Sequence, residues 1–441
     1  MKHFRKFIGN KRFVSVALML AVLTGLLSSG VQPASALHGS LPPTGLVCAN
    51  DSPTITLVTR TGSIILPDGN MVYMWGYSLA NQPFQHPAPT LCVTEGDQVT
   101  IVLHNTDLPD PTSIIFPGQK NVLANGKPTQ PQYDTGGNLL SLAEMAAPGE
   151  TVTYSFVAER PGTFLYESGT EPTKQVDMGL FGALIVRPLG NPTWAYNYSD
   201  TVFKESTEFL MLLSDLDPML HVAVEQGQPY DLSHSKPRYW LINGRAFPDT
   251  VAPNGADWLP NQPYGALAHI HPLDEVLNPD PALVRYLNVG KESFPFHPHG
   301  NHGRIIGRDG YALKGEQNAD LSYQDLSYEK FTVNIGPGQT YDATFYWKDV
   351  EKWHPTEPGK QIPVTIPQLQ NMVYGTFFSG SPYLGNTDLL PVGTQALNAC
   401  GEYYHIAHNH ALNQITSWGV VLSGHITFTR IDPPLPNDCG Q

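Results

Sequence analysis

Charge is scarce in this 441-residue sequence, at 15% of residues, and what there is leans acidic, with 39 Asp and Glu against 25 Lys and Arg. A surface of that sign repels phosphate backbones and anionic lipid, so nucleic acid is excluded as a partner, and small molecules, metal ions or other proteins remain. Long apolar runs are also absent after the first few dozen residues. The one that exists, Phe13 to Leu27, follows MKHFRKFIGNKR, which has five cations and no acid, and ends before Ala34-Ser35-Ala36. It is shorter than the ~20 residues a membrane span needs. Residues 1–36 therefore read as a signal peptide cut after Ala36, and the expectation is a secreted, extracytoplasmic protein with no membrane span. Cysteine is limited to Cys48, Cys92, Cys400 and Cys439. In an oxidising compartment these form two disulfides, and of the three pairings sequence proximity favours Cys48–Cys92 with Cys400–Cys439. No Gly-rich phosphate loop, nucleophile elbow or paired-cysteine zinc motif occurs, which removes the corresponding chemistries.

Helical periodicity is equally hard to find. Forty glycines and forty prolines punctuate short runs rich in Val, Ile, Thr, Tyr and Phe, the pattern of an all-β sandwich or barrel. In the first half TITLVTR, QVTIVLHN, ETVTYSFVA, GTFLYES and GALIVRP alternate apolar and polar residues at strand period. In the second half RYWLING, ALVRYLNVG, HGRIIGRDG, KFTVNIG, QTYDATFYW, GEYYHIA and GHITFTR repeat the theme. The halves share one order: EGDQVTIVLHN matches DPALVRYLNVG, APGETVTYSF matches GPGQTYDATF, and PGTFLYES…GLFGALIV matches CGEYYHIA…SWGVVLSG. A repeat this long predicts two copies of one β-barrel rather than a solenoid of ~20–50-residue units. The expected boundaries are a first barrel over 45–190, a connecting segment over 191–235 and a second barrel over 236–432.

The segments between these strands carry the candidate chemistry. In the first half EGDQVTIVLHN is followed by TSIIFPGQ and later by FLYESG; the second half holds WLINGRAFPDT, VRYLNVG, FPFHPHGNHGRIIGRDG, GPGQTYD and finally GEYYHIAHNHALNQITSWG. From about residue 55 to residue 430, this order resembles the multicopper oxidase family. The resemblance implies an all-β fold of two cupredoxin-like Greek-key β-barrels or sandwiches in tandem, copper as cofactor, oxidoreductase chemistry, and a homotrimer with sites at subunit junctions. Several family ligand positions are changed. Ile115 and Pro117 stand where one histidine pair is expected, Glu167 and Gly169 where another is, and Phe294 where a blue-copper histidine opens His-Pro-x-His-x-His-Gly. His297 and His299 of that motif remain. In the last family motif, His-Cys-His-x-x-x-His, alignment on Gly401 and Gly419 places His405 near the first histidine and Ile406 or a neighbour at the cysteine, and no methionine follows Met372. Another register, Cys400 with His405 and His410, keeps the spacing of a blue-copper set.

Residues two apart on a strand share a face, so His297 and His299 point at one place. His302 follows a glycine turn toward the same face, and His405, His408 and His410 lie on the segment that the family packs beside it. Neutral imidazoles suit copper or zinc, and three of them with an open position describe a mononuclear centre. The expectation is thus a mononuclear copper site, zinc being the other ion this donor set takes, with His297, His299 and His405 as ligands and His302, His408 and His410 as further donors. The competing expectation is a metal-free secreted binding or structural module whose histidines are hydrogen-bonded remnants. His269 and His271 in AHIHP match no family ligand and read as loop residues. Asp215 and Asp217 read as turn or capping groups. Glu167 reads as a solvated or ion-paired carboxylate.

Overall fold

The computed structural model describes residues 42–347, 403–432 and 435; the expected signal peptide and the Cys400–Cys439 pair lie outside them. Strands form where the period-2 pattern predicts, because a sheet buries one face and each alternate side chain points into it. In QVTIVLH, for example, Val99, Ile101 and Leu103 are buried while their neighbours are partly or fully exposed.

In the first half, strands β1 (Thr54–Ile65), β2 (Met71–Leu79), β4 (Gln98–His104) and β5 (Thr151–Val157) belong to a six-stranded sheet in the order β2-β1-β4-β5, extended by a short edge hairpin. Opposite it, β3 (Leu91–Thr94), β6 (Gly162–Glu167) and β7 (Phe181–Arg187) make a three-stranded sheet in the order β6-β7-β3. Trp75, Tyr77, Tyr154, Phe156 and Tyr166 fill the core between them.

The second half repeats this plan. Strands β8 (Glu208–Leu216), β9 (Tyr239–Ile242), β11 (Ala282–Asn288), β13 (Gly303–Arg308) and β15 (Thr340–Phe345) lie in a seven-stranded sheet, with the path β9-β8-β11-β15-β13. Strands β10 (Ala268–Ile270), β12 (Phe294–Pro298), β14 (Val333–Ile335), β16 (Tyr403–Asn409) and β17 (Ile426–Ile431) form the facing sheet in the order β10-β17-β16-β12-β14. In both halves the opening strand pairs parallel to a later one, β1 with β4 and β8 with β11, and that one pairs antiparallel with the next, β5 or β15. The molecule is two cupredoxin-like sandwiches in tandem.

Two sequence expectations need correction. The strand that pairs with β16, as β7 pairs with β6, is β17 in GHITFTR; Val420–Val421 of SWGVVLSG instead form a two-residue hairpin with Thr416–Ser417. Equally, AHIHP is not all loop, since Ala268–Ile270 pairs with β17 as an edge strand. Asp217 does cap a helix, Pro218–Glu225, by accepting from the Met219 N–H at 3.0 Å.

A buried ionic cluster joins the halves. Arg285, fully buried on β11, donates to Glu208 Oε1 at 2.7 Å and to Thr163 Oγ1 on β6 at 2.8 Å, while Thr163 and Tyr196 donate to Asp342 at 2.6 Å each. Arg187 of β7 closes on Glu208 Oε2 at 2.7 Å. Two buried carboxylates are thereby neutralised by cations drawn from both sandwiches. Cys48 and Cys92 form the expected disulfide. Among the described residues no helix is long and apolar enough to cross a membrane.

Candidate metal centre

Strands β12 and β16 lie side by side with His297 opposite His408, so the two imidazoles emerge from the same face. On β12 the phenyl rings of Phe294 and Phe296 enter the core, and the alternation turns His297 and His299 outward. On β16 the core positions are His405, Ala407 and Asn409, and the outward ones are Ile406 and His408, followed by the exposed His410. Ring centroids of His297 lie 4.7 Å from His299, 5.6 Å from His408 and 5.3 Å from His410. The Nε2 atoms of His299 and His408 stand 3.1 Å apart.

Backbone carbonyls fix how these rings present their nitrogens. His297 Nδ1 lies 2.6 Å from Phe331 O, and His408 Nδ1 lies 2.8 Å from Asn409 O. A carbonyl only accepts, so both Nδ1 atoms carry the proton and both Nε2 atoms offer a lone pair. The short His299–His408 contact is closed either by a proton on His299 or by a cation between the two nitrogens. Burial, helped by the surrounding imidazoles, holds His299 down at about 4, and burial lowers His408. Both are neutral at pH 7, the state in which imidazole binds metal. One nitrogen from each of His297, His299 and His408 falls within 4.8 Å of the others. An open cavity of about 450 Å³ lies against His297, His299, His302 and Phe331. The donors present therefore fit one ion with access for a small molecule.

His405, expected as the third ligand, is not part of this group. It is fully buried on the opposite face of β16, with its ring 4.9 Å from Trp347 and tight under Gly300, whose φ of +85° lets the loop cross it. The reason is the strand period: an odd offset from His408 reverses the side-chain direction. His302 is exposed at the cavity rim, its ring 5.9 Å from Phe331. His410 borders the cluster through its ring contacts with His297 and His408.

The other family positions hold different chemistry. Phe294 is fully buried with its ring 4.6 Å from His425. His425, which the sequence did not single out, donates from Nε2 to the carbonyls of Ser214 and Leu241 at 2.9 Å, and burial lowers it to about 3. In the first half, the backbones of Ile115 and Glu167 still bridge, at 2.8 and 3.1 Å. Beside them lies a hydroxyl network: Ser113 and Ser141 are 3.0 Å apart, and Thr170 reaches both at 2.9 and 3.0 Å. A Cβ at Gly169 would stand 2.7 Å from Ile115 Cγ2, so side chains already fill that space. Glu167 is partly buried and makes no ion pair among the described residues; burial raises it to about 7.

A family model described as multicopper oxidase matches residues 65–191. L-ascorbate oxidase from Cucurbita pepo var. melopepo is 31% identical over 172 residues, which is 39% of this chain and 26% of that protein, so the match spans about a quarter of the relative. Among solved structures, a blue copper oxidase from Nitrosomonas europaea superposes with a TM-score of 0.56 at 20% identity, covering 86% of this chain and 85% of that one. The multicopper oxidase mgLAC gives a TM-score of 0.56 at 19% identity, with 86% of each chain covered. At these identities the structural likeness is one of fold.

Proposed function

We propose that this chain, a member of the multicopper oxidase superfamily, is an exported copper protein with one mononuclear site, held by His297, His299 and His408, and with oxidoreductase capacity. The observation that carries the reading is the convergence of three imidazoles, two of them with Nε2 atoms 3.1 Å apart. Bound copper would supply a one-electron couple and a Lewis-acid position there. The protein's own part is to hold the rings: Phe331 O and Asn409 O set the tautomers of His297 and His408, and Thr332 Oγ1 supports His297 at 3.1 Å. Such orienting partners are what keep a ligand aimed before the ion arrives. His302, exposed at the rim, can contact a molecule in the open cavity.

Four-electron reduction of dioxygen is not the proposed reaction. It takes an electron-entry copper and a cluster, and the changed positions offer a phenyl ring, two aliphatic side chains, a partly buried carboxyl and a glycine. Export rests on the leader-like residues 1–36, and the Cys48–Cys92 bond agrees with an oxidising compartment. A homotrimer is proposed from the family resemblance, the outward position of the cluster leaving it open to a neighbouring chain. The competing reading, a metal-free secreted module, draws on the first half, where hydroxyls fill the space beside the changed positions. Copper loading followed by metal analysis and electron paramagnetic resonance separates the two. One copper per chain with a type 2 signal and no intense blue colour is expected; the absence of stoichiometric metal would favour the module. Robust oxidation of a phenolic dye would overturn the exclusion of laccase chemistry.

A further inference from the structure

A cavity of about 830 Å³ opens where the connecting segment crosses the first sandwich, larger than the cavity at the histidine cluster. Helix Pro218–Glu225, capped by Asp217, sinks Leu220 into the first-half core and packs Val224 against it. The chain beyond the helix is pinned by the same carboxylate. The Tyr230 hydroxyl donates to Asp217 Oδ2 at 2.5 Å, and the Lys236 N–H donates to that oxygen at 2.8 Å. Tyr230 and Leu232 are thereby held half-buried against the core that contains Trp75. Trp75, Leu220, Val224, Tyr230 and Leu232 form the apolar side of the cavity. Packing and hydrogen bonds fix these walls, and the volume lies within the ~300–1,000 Å³ of small-molecule sites.

The polar side carries a surplus of negative charge. Lys174 is the one cation among the lining residues, against the carboxylates of Asp110 and Glu171. Its Nζ lies 2.5 Å from Asp110 Oδ2 and 5.4 Å from the centre of the Trp75 ring, so Asp110 and the indole already hold that ammonium. Glu171 stands 3.6 Å from Lys174, outside hydrogen-bonding distance, with its side chain 58% exposed. It occupies the N-cap place of the helical turn Pro172–Gln175, yet its side chain caps nothing there. A glutamate on an open surface would simply be solvated. This one stands on the rim of an apolar cavity, where a ligand that fills the cavity brings its own charge within reach of the carboxylate.

We propose that this cavity binds a small organic cation, an ammonium carried on an aromatic body, with the body against Trp75 and Tyr230 and the ammonium paired with Glu171. An organic anion would meet two carboxylates and one cation that is already paired, and a purely apolar molecule would leave the charged rim unused. The acidic composition of the whole chain, 39 Asp and Glu against 25 Lys and Arg, draws cations toward the surface in the same sense. None of the lining residues belongs to the histidine cluster, so this site stands whether or not copper binds there.

The test is calorimetric titration of the full chain with naphthylmethylammonium, and with naphthoate as its anionic counterpart. The ammonium should bind once per chain and at least ~10-fold tighter than naphthoate, because like charges brought together at the rim are penalised. Glu171→Gln, a change at an exposed side chain, should weaken ammonium binding about fivefold and narrow the gap between the two probes. Val224→Phe should fill the cavity and remove binding of both, with the melting temperature reporting that the chain is folded; where that variant does not fold, Glu171→Gln decides alone. No saturable binding of the ammonium, naphthoate binding as tightly, an unchanged ammonium affinity in Glu171→Gln, or full binding by a folded Val224→Phe overturns the proposal.

Discussion

In the first half of the chain the backbone bridge between Ile115 and Glu167 sets two segments side by side; in the second the pairing of His297 with His408 does the same. The frames match, and what they present does not. One offers an aliphatic chain, a partly buried carboxyl and a hydroxyl network; the other offers imidazoles fixed by carbonyls. Main-chain hydrogen bonds build the frame in both, so side chains facing away from the core can be exchanged without losing the strand order. The comparison teaches that ligand chemistry and scaffold are separable in this fold.

The largest effect that could break this contrast is loss of the ion. Replacing His297 and His299 together by Ala should lower copper affinity by more than ~100-fold, beyond the cost of losing an orienting partner alone. Changing Glu167 to Gln should leave copper content unaltered by metal analysis. Equal losses in the two would erase the distinction between the halves.

A next effect concerns what the halves share. Arg285→Met removes one of the two cations on the buried Glu208 and the cation facing Asp342, and should destabilise the fold by about 3–5 kcal/mol in denaturant unfolding, as one cooperative transition. Separate transitions for the two sandwiches would show that the cluster does not couple them.

A smaller effect sharpens the contrast through pH. Glu167 is raised from its usual 4.5 to about 7, so its contribution to stability is full below the unfolded value and is lost as pH rises through 7. The loss amounts to at most about 3.5 kcal/mol at ~1.4 kcal/mol per pH unit. Glu167→Gln should therefore flatten the stability curve between pH 5 and 8, read from melting temperature; an unchanged slope would mean the carboxyl is not buried in solution.

Much of the scaffold was legible because period-2 patterning reports a half-buried strand directly, as in QVTIVLH. The His297 and His299 pair was legible for the same reason, two residues apart on one face. His405 was not, because alignment on glycines fixes position along the strand only loosely, and one residue of slip reverses the face. Gly419, one of those landmarks, sits in the hairpin at residues 416–421 between β16 and β17 and not on the strand that pairs with β16, so it could not fix the register. Asp432 escaped notice because its partner His269 is 163 positions away, and an acid after a strand reads as a turn residue. Arg285 escaped because its neutralising carboxylates come from other strands, and burial of a cation is a tertiary property.

The register on β16 is the point on which the copper site turns, and one paired measurement addresses it: copper per chain in His408→Ala and in His405→Phe, which keeps a ring in the buried position. Retention of one copper by His405→Phe with its loss from His408→Ala is the predicted result. Loss from His405→Phe with retention by His408→Ala would contradict the account.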